Sequence, residues 1–127
     1  MIKKILMVDD DLDFIEACRN VLEAEGYQVD QETQGEAVFS KMQASLPDLV
    51  LLDVLMQNKM GGFEVAEKMF QDDKLRTIPV IFLTGYFKRM TLKDEEREMI
   101  QNWTNVKGVL DKPVKPAALL DLIRKIQ

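Results

Sequence analysis

Leu49-Val50-Leu51-Leu52-Asp53 is a run of four aliphatic residues closed by a carboxylate. A continuous apolar run of this length is typical of a strand that is buried on both faces, as in a parallel sheet. Pro47-Asp48 leads into the run, and Asp53 falls at its carboxyl end. Because open α/β folds place their chemistry at that edge of the sheet, Asp53 is the first candidate for a functional group.

Strand and helix patterns alternate on both sides of this run. Strands are predicted over residues 2–8, 27–29, 48–53, 78–83 and 107–111, and helices over 12–25, 34–45, a stretch after Gly61-Gly62, most of 86–106 and a last segment from Pro116. Five such repeats predict an α/β fold with a doubly wound five-stranded parallel sheet and helices on both faces. We expect one domain that spans residues 1–127.

Composition excludes several classes of function. The 127 residues are 46% apolar and 31% charged, which indicates a globular chain, and the net charge of −5 argues against direct nucleic-acid binding by this segment. The single cysteine cannot form an internal disulfide and fits a cytoplasmic location. We expect no signal peptide or membrane span, because no apolar run is long enough. Histidine is absent, which removes histidine-based catalysis and metal ligation.

Polar residues follow the strands where each one ends. They are Asp9 and Asp10, Asp53, Thr84 with Gly85, and Lys112. The carboxyl ends of parallel strands meet at one edge, so the carboxylates would repel each other there, by about 4 kcal/mol for a pair 4 Å apart at an effective dielectric of 20. Mg²⁺, which prefers carboxylate oxygens, would relieve this repulsion. With a hydroxyl, a backbone N–H and an ammonium nearby, the set suits phosphoryl transfer to a carboxylate.

The chain resembles the receiver domain of two-component response regulators. The resemblance lies in Val8-Asp9-Asp10, Asp53 followed by Met56 and Gly62, Thr84-Gly85, and Lys112-Pro113, and it covers essentially the whole chain. It implies a flavodoxin-like (βα)5 receiver fold. It also implies that Asp53 accepts a phosphoryl group from the phosphohistidine of a histidine kinase or histidine phosphotransfer protein. Such a domain is a signalling switch, which catalyses only its own phosphorylation and dephosphorylation.

The same resemblance assigns roles to the strand-end residues. It implies that Asp10, Asp53 and the backbone carbonyl of Leu55 hold Mg²⁺, with Asp9 acting through a bound water. Thr84 and the Gly85 amide would contact the phosphoryl oxygens. Lys112 would be the counter-ion and would precede a cis peptide bond to Pro113. The face built from the fourth helix, fifth strand and fifth helix would change on phosphorylation, and would serve an output domain or a homodimer.

Four departures from the family pattern stand out. Gln57 replaces the usual proline, and the loop to Gly62 is one residue longer. Val109 stands where an aromatic residue is usual. The segment between Thr84 and Lys112 is several residues longer than typical. Leu55 and Tyr86 are bulky at positions that flank the path of the hydrolytic water, so we expect slow loss of the phosphoryl group.

Two other functions remain open at this level. A pseudo-receiver would keep the fold as a protein-interaction module and leave phosphorylation unused, as Val109 and Gln57 favour. A phosphohydrolase would use the D-x-D spacing in Asp9-Asp10-Asp11, but Asp53 would then have no role. The acidic triplet could also cap the first helix, and Trp103 could pack on the sheet or anchor a partner.

Overall fold

A computed structural model describes residues 1–54, 62–84, 102–103 and 105–127, with only the backbone of Thr84. Its strands are β1 (Lys4–Val8), β2 (Gln28–Glu32), β3 (Leu49–Asp53), β4 (Val80–Thr84) and β5 (Val106–Asp111). The helices within these residues are α1 (Leu12–Ala24), α2 (Val38–Ala44), α3 (Gly62–Gln71) and α4 (Pro116–Lys125), with a 3-10 turn at Gly35–Ala37. The strands pair in parallel in the order β2-β1-β3-β4-β5, which confirms the predicted α/β sheet.

The central strand β3 is buried along its whole length, as its unbroken apolar sequence predicts. Its side chains alternate between two hydrophobic clusters, with Val50 and Leu52 in one and Leu49 and Leu51 in the other. Helices α2 and α3 contribute to the first cluster, and α1 and α4 to the second. The sheet therefore lies between two helical layers, one with α2 and α3 and the other with α1 and α4.

Strand β2 extends further than predicted. The expected strand covered residues 27–29, whereas the observed one runs over Gln28–Glu32. Its polar residues pair with buried ones of β1, for example Gln31 with Met7. An edge strand has one open side, so its residues stay polar and the apolar pattern underestimates its length.

Pro79 was predicted near the start of the fourth strand, and β4 begins at the next residue, Val80. Proline lacks the N–H that a central strand donates, but its carbonyl can still accept. The carbonyl oxygen of Pro79 accepts from the backbone N–H of Val50 at 3.0 Å. Pro79 thus lies just before β4, where its missing N–H costs the sheet no hydrogen bond.

The segment predicted as the fourth helix lies mostly outside the described residues. Within the described part, Trp103 is 7% exposed and belongs to the cluster that covers one face of the sheet. Its ring lies 6.3 Å from that of Phe63. Of the two roles open to this tryptophan, packing on the sheet is the one observed. No helix in the described part of the chain is long and apolar enough to span a membrane.

The amino-terminal strand is tied to the entry of β3 through Asp48. One carboxylate oxygen, Oδ2, accepts from the backbone N–H groups of Lys3 and Lys4, both at 2.9 Å. These two hydrogen bonds lower the pKa of the Asp48 carboxyl. The carboxylate form is therefore the one that the folded chain stabilises.

We expect Asp48→Ala to lower the melting temperature slightly at neutral pH. Because the pKa of Asp48 is lower in the folded chain, its stabilisation is present above about pH 4 and disappears as the pH falls through the folded-state value. Calorimetric melts at several pH values would measure this, and the difference between wild type and variant should narrow towards acid. A difference that widens towards acid would contradict the assignment. Asp73→Ala, which removes an exposed carboxylate after α3, is the control.

Candidate functional site

Asp9 follows β1 directly and is fully buried. Its Oδ1 atom accepts from the backbone N–H of Asp11 at 2.9 Å, and its Oδ2 atom accepts from Lys112 Nζ at 2.6 Å. A buried carboxylate is tolerated only when its oxygens are hydrogen-bonded or paired with charge. Both oxygens of Asp9 meet this condition, and the ion pair joins the ends of β1 and β5.

Asp53 is the last residue of β3 and is 3% exposed. Its Oδ2 atom lies 3.7 Å from Lys112 Nζ, so one ammonium faces two buried carboxylates. Asp9, Asp10 and Asp53 each offer one oxygen, and these oxygens lie within 4.8 Å of one another. Asp10 is exposed to solvent, whereas the other two are buried. Asp9, Asp10 and Asp53 thus form an acid group in which two carboxylates are buried and one is exposed at the surface.

The acid group suits a hard divalent cation. Three carboxylates and one ammonium carry a formal net charge of −2. Oxygen atoms at this mutual spacing match the donors that Mg²⁺ takes from proteins, with water and phosphate oxygens completing its coordination. Asp10 is open to solvent, which leaves a side through which a cation and a phosphate can enter. The donor chemistry therefore fits the predicted metal.

Asp11 has the capping role that was open to the acidic triplet. Its Oδ1 atom accepts from the backbone N–H groups of Asp13 and Phe14, at 3.1 and 3.2 Å, and it is the N-cap of α1. A capping carboxylate satisfies donors that the helix cannot. Asp11 therefore caps the helix, while Asp9 and Asp10 belong to the acid group.

Lys112 follows β5, and its peptide bond to Pro113 is cis, in agreement with what the resemblance implies. Besides the two carboxylates, the ammonium lies over the ring of Phe14 at 4.2 Å from the centroid. The side chain of Lys112 is 18% exposed. The lysine therefore lies within the site.

Several predicted site residues fall outside what the structure describes. The carbonyl of Leu55, the amide of Gly85, and the loop residues Gln57 and Tyr86 lie outside the described residues, as does the side chain of Thr84. The backbone of Thr84 ends β4 and pairs with Asp111, directly before Lys112. This register puts position 84 at the same edge of the sheet as the acid group.

Two neighbours of the site were missed from the sequence. Phe14 was predicted only as part of the helix over 12–25, and Gly62 was given only as one of the residues that carry the resemblance. A Cβ atom added to Gly62 would lie 2.2 Å from the carbonyl oxygen of Asp53. The first residue of α3 thus packs against the backbone that carries Asp53. Phe14 and Lys112 are far apart in the sequence and meet only in the folded chain, so no local sequence pattern predicts their contact.

Cys18 lies on the buried face of α1. Burial, together with the negative charge of Asp9, raises the pKa of its thiol to about 11, although Lys112 acts in the opposite direction. The reactive form of cysteine is the thiolate, which is scarce at neutral pH for such a group. We therefore expect Cys18 to be unreactive.

Comparisons with known proteins identify the family of this chain. The sequence-family model described as response regulator receiver domain matches residues 5–124 of this chain. The phosphate regulon transcriptional regulatory protein PhoB of Rhizobium meliloti is 29% identical over the whole chain, which spans 52% of PhoB, about half its length. The polar-differentiation response regulator DivK of Brucella anthropi is 27% identical over 98% of the chain and 95% of DivK.

Solved structures share the fold. A CheY-like response regulator receiver domain protein from Methanospirillum hungatei is 28% identical, with a TM-score of 0.83, over 99% of this chain and 94% of that one. The family match covers far more than half of the sequence, and the fold and acid group agree with it. The chain belongs to the receiver-domain family of two-component response regulators.

Proposed function

We propose that this receiver domain takes a phosphoryl group onto Asp53 in a Mg²⁺-dependent reaction. The single observation that carries the proposal is the meeting of Asp9, Asp10 and Asp53 at one edge, with Lys112 contacting two of them. These residues come from three separate parts of the sequence, and a structural role alone would not require three carboxylates so close together. The arrangement provides a nucleophile, a cation site and a counter-ion for phosphoryl oxygens.

In the proposed reaction, a carboxylate oxygen of Asp53 attacks phosphorus in the phosphohistidine of a partner. An O–P bond forms while the N–P bond breaks, and its electron pair remains on the imidazole nitrogen, which then takes up a proton. Bound at the acid group, Mg²⁺ would supply positive charge for the phosphoryl oxygens. Asp10, Asp53 and the Leu55 carbonyl would hold it, with Asp9 acting through a water.

Other residues would orient the phosphoryl group. Lys112 would pair with a phosphoryl oxygen, because its ammonium already lies 3.7 Å from Asp53 Oδ2. We assign Thr84 and the Gly85 amide as further donors, supported by the position of Thr84 at the end of β4. The catalysis is limited to the domain's own phosphorylation and dephosphorylation, so the function is signalling.

We further propose a histidine kinase or histidine phosphotransfer protein as the donor, acting in the cytoplasm. Phosphorylation would then shift the face formed by the helix predicted between β4 and β5, by β5 itself and by α4. This face would contact an output domain or a second copy. Residues Lys107, Val109 and Asp111 of β5 are exposed on that edge strand. Val109, at 41% exposure, offers apolar area to a partner but cannot replace the usual aromatic residue.

The proposal is tested by incubating the full chain with acetyl phosphate and Mg²⁺, trapping the acyl phosphate by borohydride reduction, and locating the reduced residue by mass spectrometry. We expect modification at Asp53 alone. An unmodified chain, or modification at another carboxylate, would overturn the proposal. Adding beryllofluoride and Mg²⁺ while recording amide shifts distinguishes a pseudo-receiver, which would show no change around Asp53.

Magnesium is expected to stabilise the domain, and Asp10→Asn should remove most of this effect. At ten times its dissociation constant, a ligand that binds only the folded state adds about 1.4 kcal/mol. For a chain of this length that raises the melting temperature by about 5 °C. Differential scanning calorimetry with and without Mg²⁺ measures the shift. Asp11→Asn, whose side chain can still cap α1, should keep it, and a full shift in Asp10→Asn would contradict the assigned ligand.

A further inference from the structure

Phe14 makes a contact with Lys112 that the proposed chemistry does not include. Its ring belongs to α1, is half-buried, and packs against the cluster formed with α4 and the sheet. The ammonium of Lys112 lies over this ring at 4.2 Å from the centroid, well inside the range of about 6 Å in which a cation is attracted to an aromatic face. Within the described part of the chain, the lysine head group thus contacts two carboxylates and one ring.

The three neighbours differ in what a metal would do to them. Asp9 and Asp53 belong to the acid group, and a divalent cation would compete with Lys112 for their oxygens. The ring of Phe14 is neutral and offers no oxygen ligand. It is therefore the contact, among those described for this ammonium, that survives when a metal occupies the carboxylates.

Lysine needs such a contact because its ammonium is a compact charge on a flexible four-carbon stem. If Asp9 binds a metal ion, or a water molecule bound to that ion, its ion pair with the Lys112 ammonium is weakened. This 2.6 Å ion pair is the shortest contact described for the ammonium. With 18% of the side chain already exposed, the head group could then move into solvent. A ring beneath it favours the position beside Asp53.

We propose that Phe14 is a positioning residue that keeps the Lys112 ammonium beside Asp53 when metal occupies the acid group. The contribution to phosphorylation rests on the function proposed above, whereas the contact with the lysine in the metal-bound protein does not. The two parts can therefore be tested separately.

The contact is tested by NMR in the wild-type protein. Protons above an aromatic ring resonate upfield, so the ε-methylene signal of Lys112, assigned by comparison with Lys112→Arg, should lie upfield of the other lysines. We expect the displacement to persist in saturating Mg²⁺ and to disappear in Phe14→Leu. A signal that moves to the position of the other lysines on addition of Mg²⁺ would overturn the proposal.

The positioning role is tested by the rate of phosphorylation from acetyl phosphate. We expect Phe14→Leu to be slower by about three- to tenfold, with Phe14→Tyr close to wild type because its ring also attracts a cation. Val21→Ala, which trims another half-buried residue of α1, is the control for packing and should leave the rate unchanged. Calorimetric affinity for Mg²⁺ should change less than about twofold in Phe14→Leu, since an aromatic ring supplies no oxygen ligand to the metal.

The outcomes separate this inference from the proposed function. If wild type is phosphorylated and Phe14→Leu reacts at the same rate, the positioning role is wrong while the function stands. If wild type takes up no phosphoryl group, the function fails, and the NMR result still decides whether the ring holds the lysine. Equal losses in Phe14→Leu, Phe14→Tyr and Val21→Ala would indicate a packing effect and would also overturn the positioning role.

Discussion

Replacing Asp53 by asparagine is expected to reduce phosphoryl uptake from acetyl phosphate to the uncatalysed background. An amide oxygen is a far weaker nucleophile than a carboxylate, and the acid group loses one of its three charges. The change is nearly isosteric at a residue that is 3% exposed, so β3 should keep its place in the sheet. The measurement is the fraction of phosphorylated chain by intact-mass spectrometry, after equal incubation of variant and wild type.

The control for this experiment is Asp11→Asn, which makes the same chemical change two residues from Asp9. Asp11 is exposed and caps α1, a role that asparagine fills about as well. It should therefore be phosphorylated like wild type. Uptake that persists in Asp53→Asn, with the label on the Asp9-Asp10-Asp11 stretch, would contradict the assignment and favour the aspartyl phosphohydrolase considered from the sequence.

The interior of the fold could be predicted from the sequence because burial leaves a local record. Strand β3, with a strand on each side and helices on both faces, is apolar up to its last residue, Asp53, and its boundaries were predicted within one residue. Strand β2 and the start of α2 were predicted less well. Gly35–Ala37 forms a 3-10 turn before α2, whereas one continuous helix was predicted there. Edge strands and helix ends carry polar residues, so their limits depend on pairing rather than on hydrophobicity.

The acid group was predictable for a different reason, since parallel strands bring their carboxyl ends to one edge whatever their sequence separation. That rule brought Asp9, Asp10, Asp53 and Lys112 together correctly. It could not indicate that Lys112 would pair more closely with Asp9 than with Asp53, at 2.6 against 3.7 Å. Such preferences depend on side-chain reach and on burial, which follow only from the assembled structure.

The close approach of Gly62 to β3 lies beyond local patterns altogether. A pair of glycines predicts a turn, but the structure gives Gly62 a second requirement. A Cβ atom at this position would lie 2.2 Å from the carbonyl oxygen of Asp53 and 2.8 Å from the Cα atom of Val54. Both are backbone atoms of the segment that carries the proposed phosphoacceptor. The distance between α3 and the end of β3 therefore depends on the absence of a side chain.

Gly62→Ala is accordingly expected to destabilise the domain and to impair the site. Alanine favours a helix over glycine by up to about 1 kcal/mol, which taken alone would stabilise α3. The steric overlap acts against this, because the atoms that the new methyl group would meet are backbone atoms at the end of the buried strand β3, not a flexible side chain. Overpacking typically costs about 1–3 kcal/mol or more. We expect the overlap to dominate, with a melting temperature lower by about 5 °C or more. Displacement of Asp53 should also weaken the Mg²⁺-induced stabilisation and slow phosphorylation.

Gly108→Ala provides the matched control, because it creates a similar overlap with a different kind of neighbour. A Cβ atom there would lie 2.6 Å from Cδ2 of Leu122, the end of a flexible side chain that can adopt another rotamer. Its melting temperature should change less than that of Gly62→Ala, and its response to Mg²⁺ should stay that of wild type. If Gly62→Ala instead melts at or above the wild-type temperature and still binds Mg²⁺, then α3 can shift away from β3 at little cost. The glycine would in that case not be required for the position of Asp53.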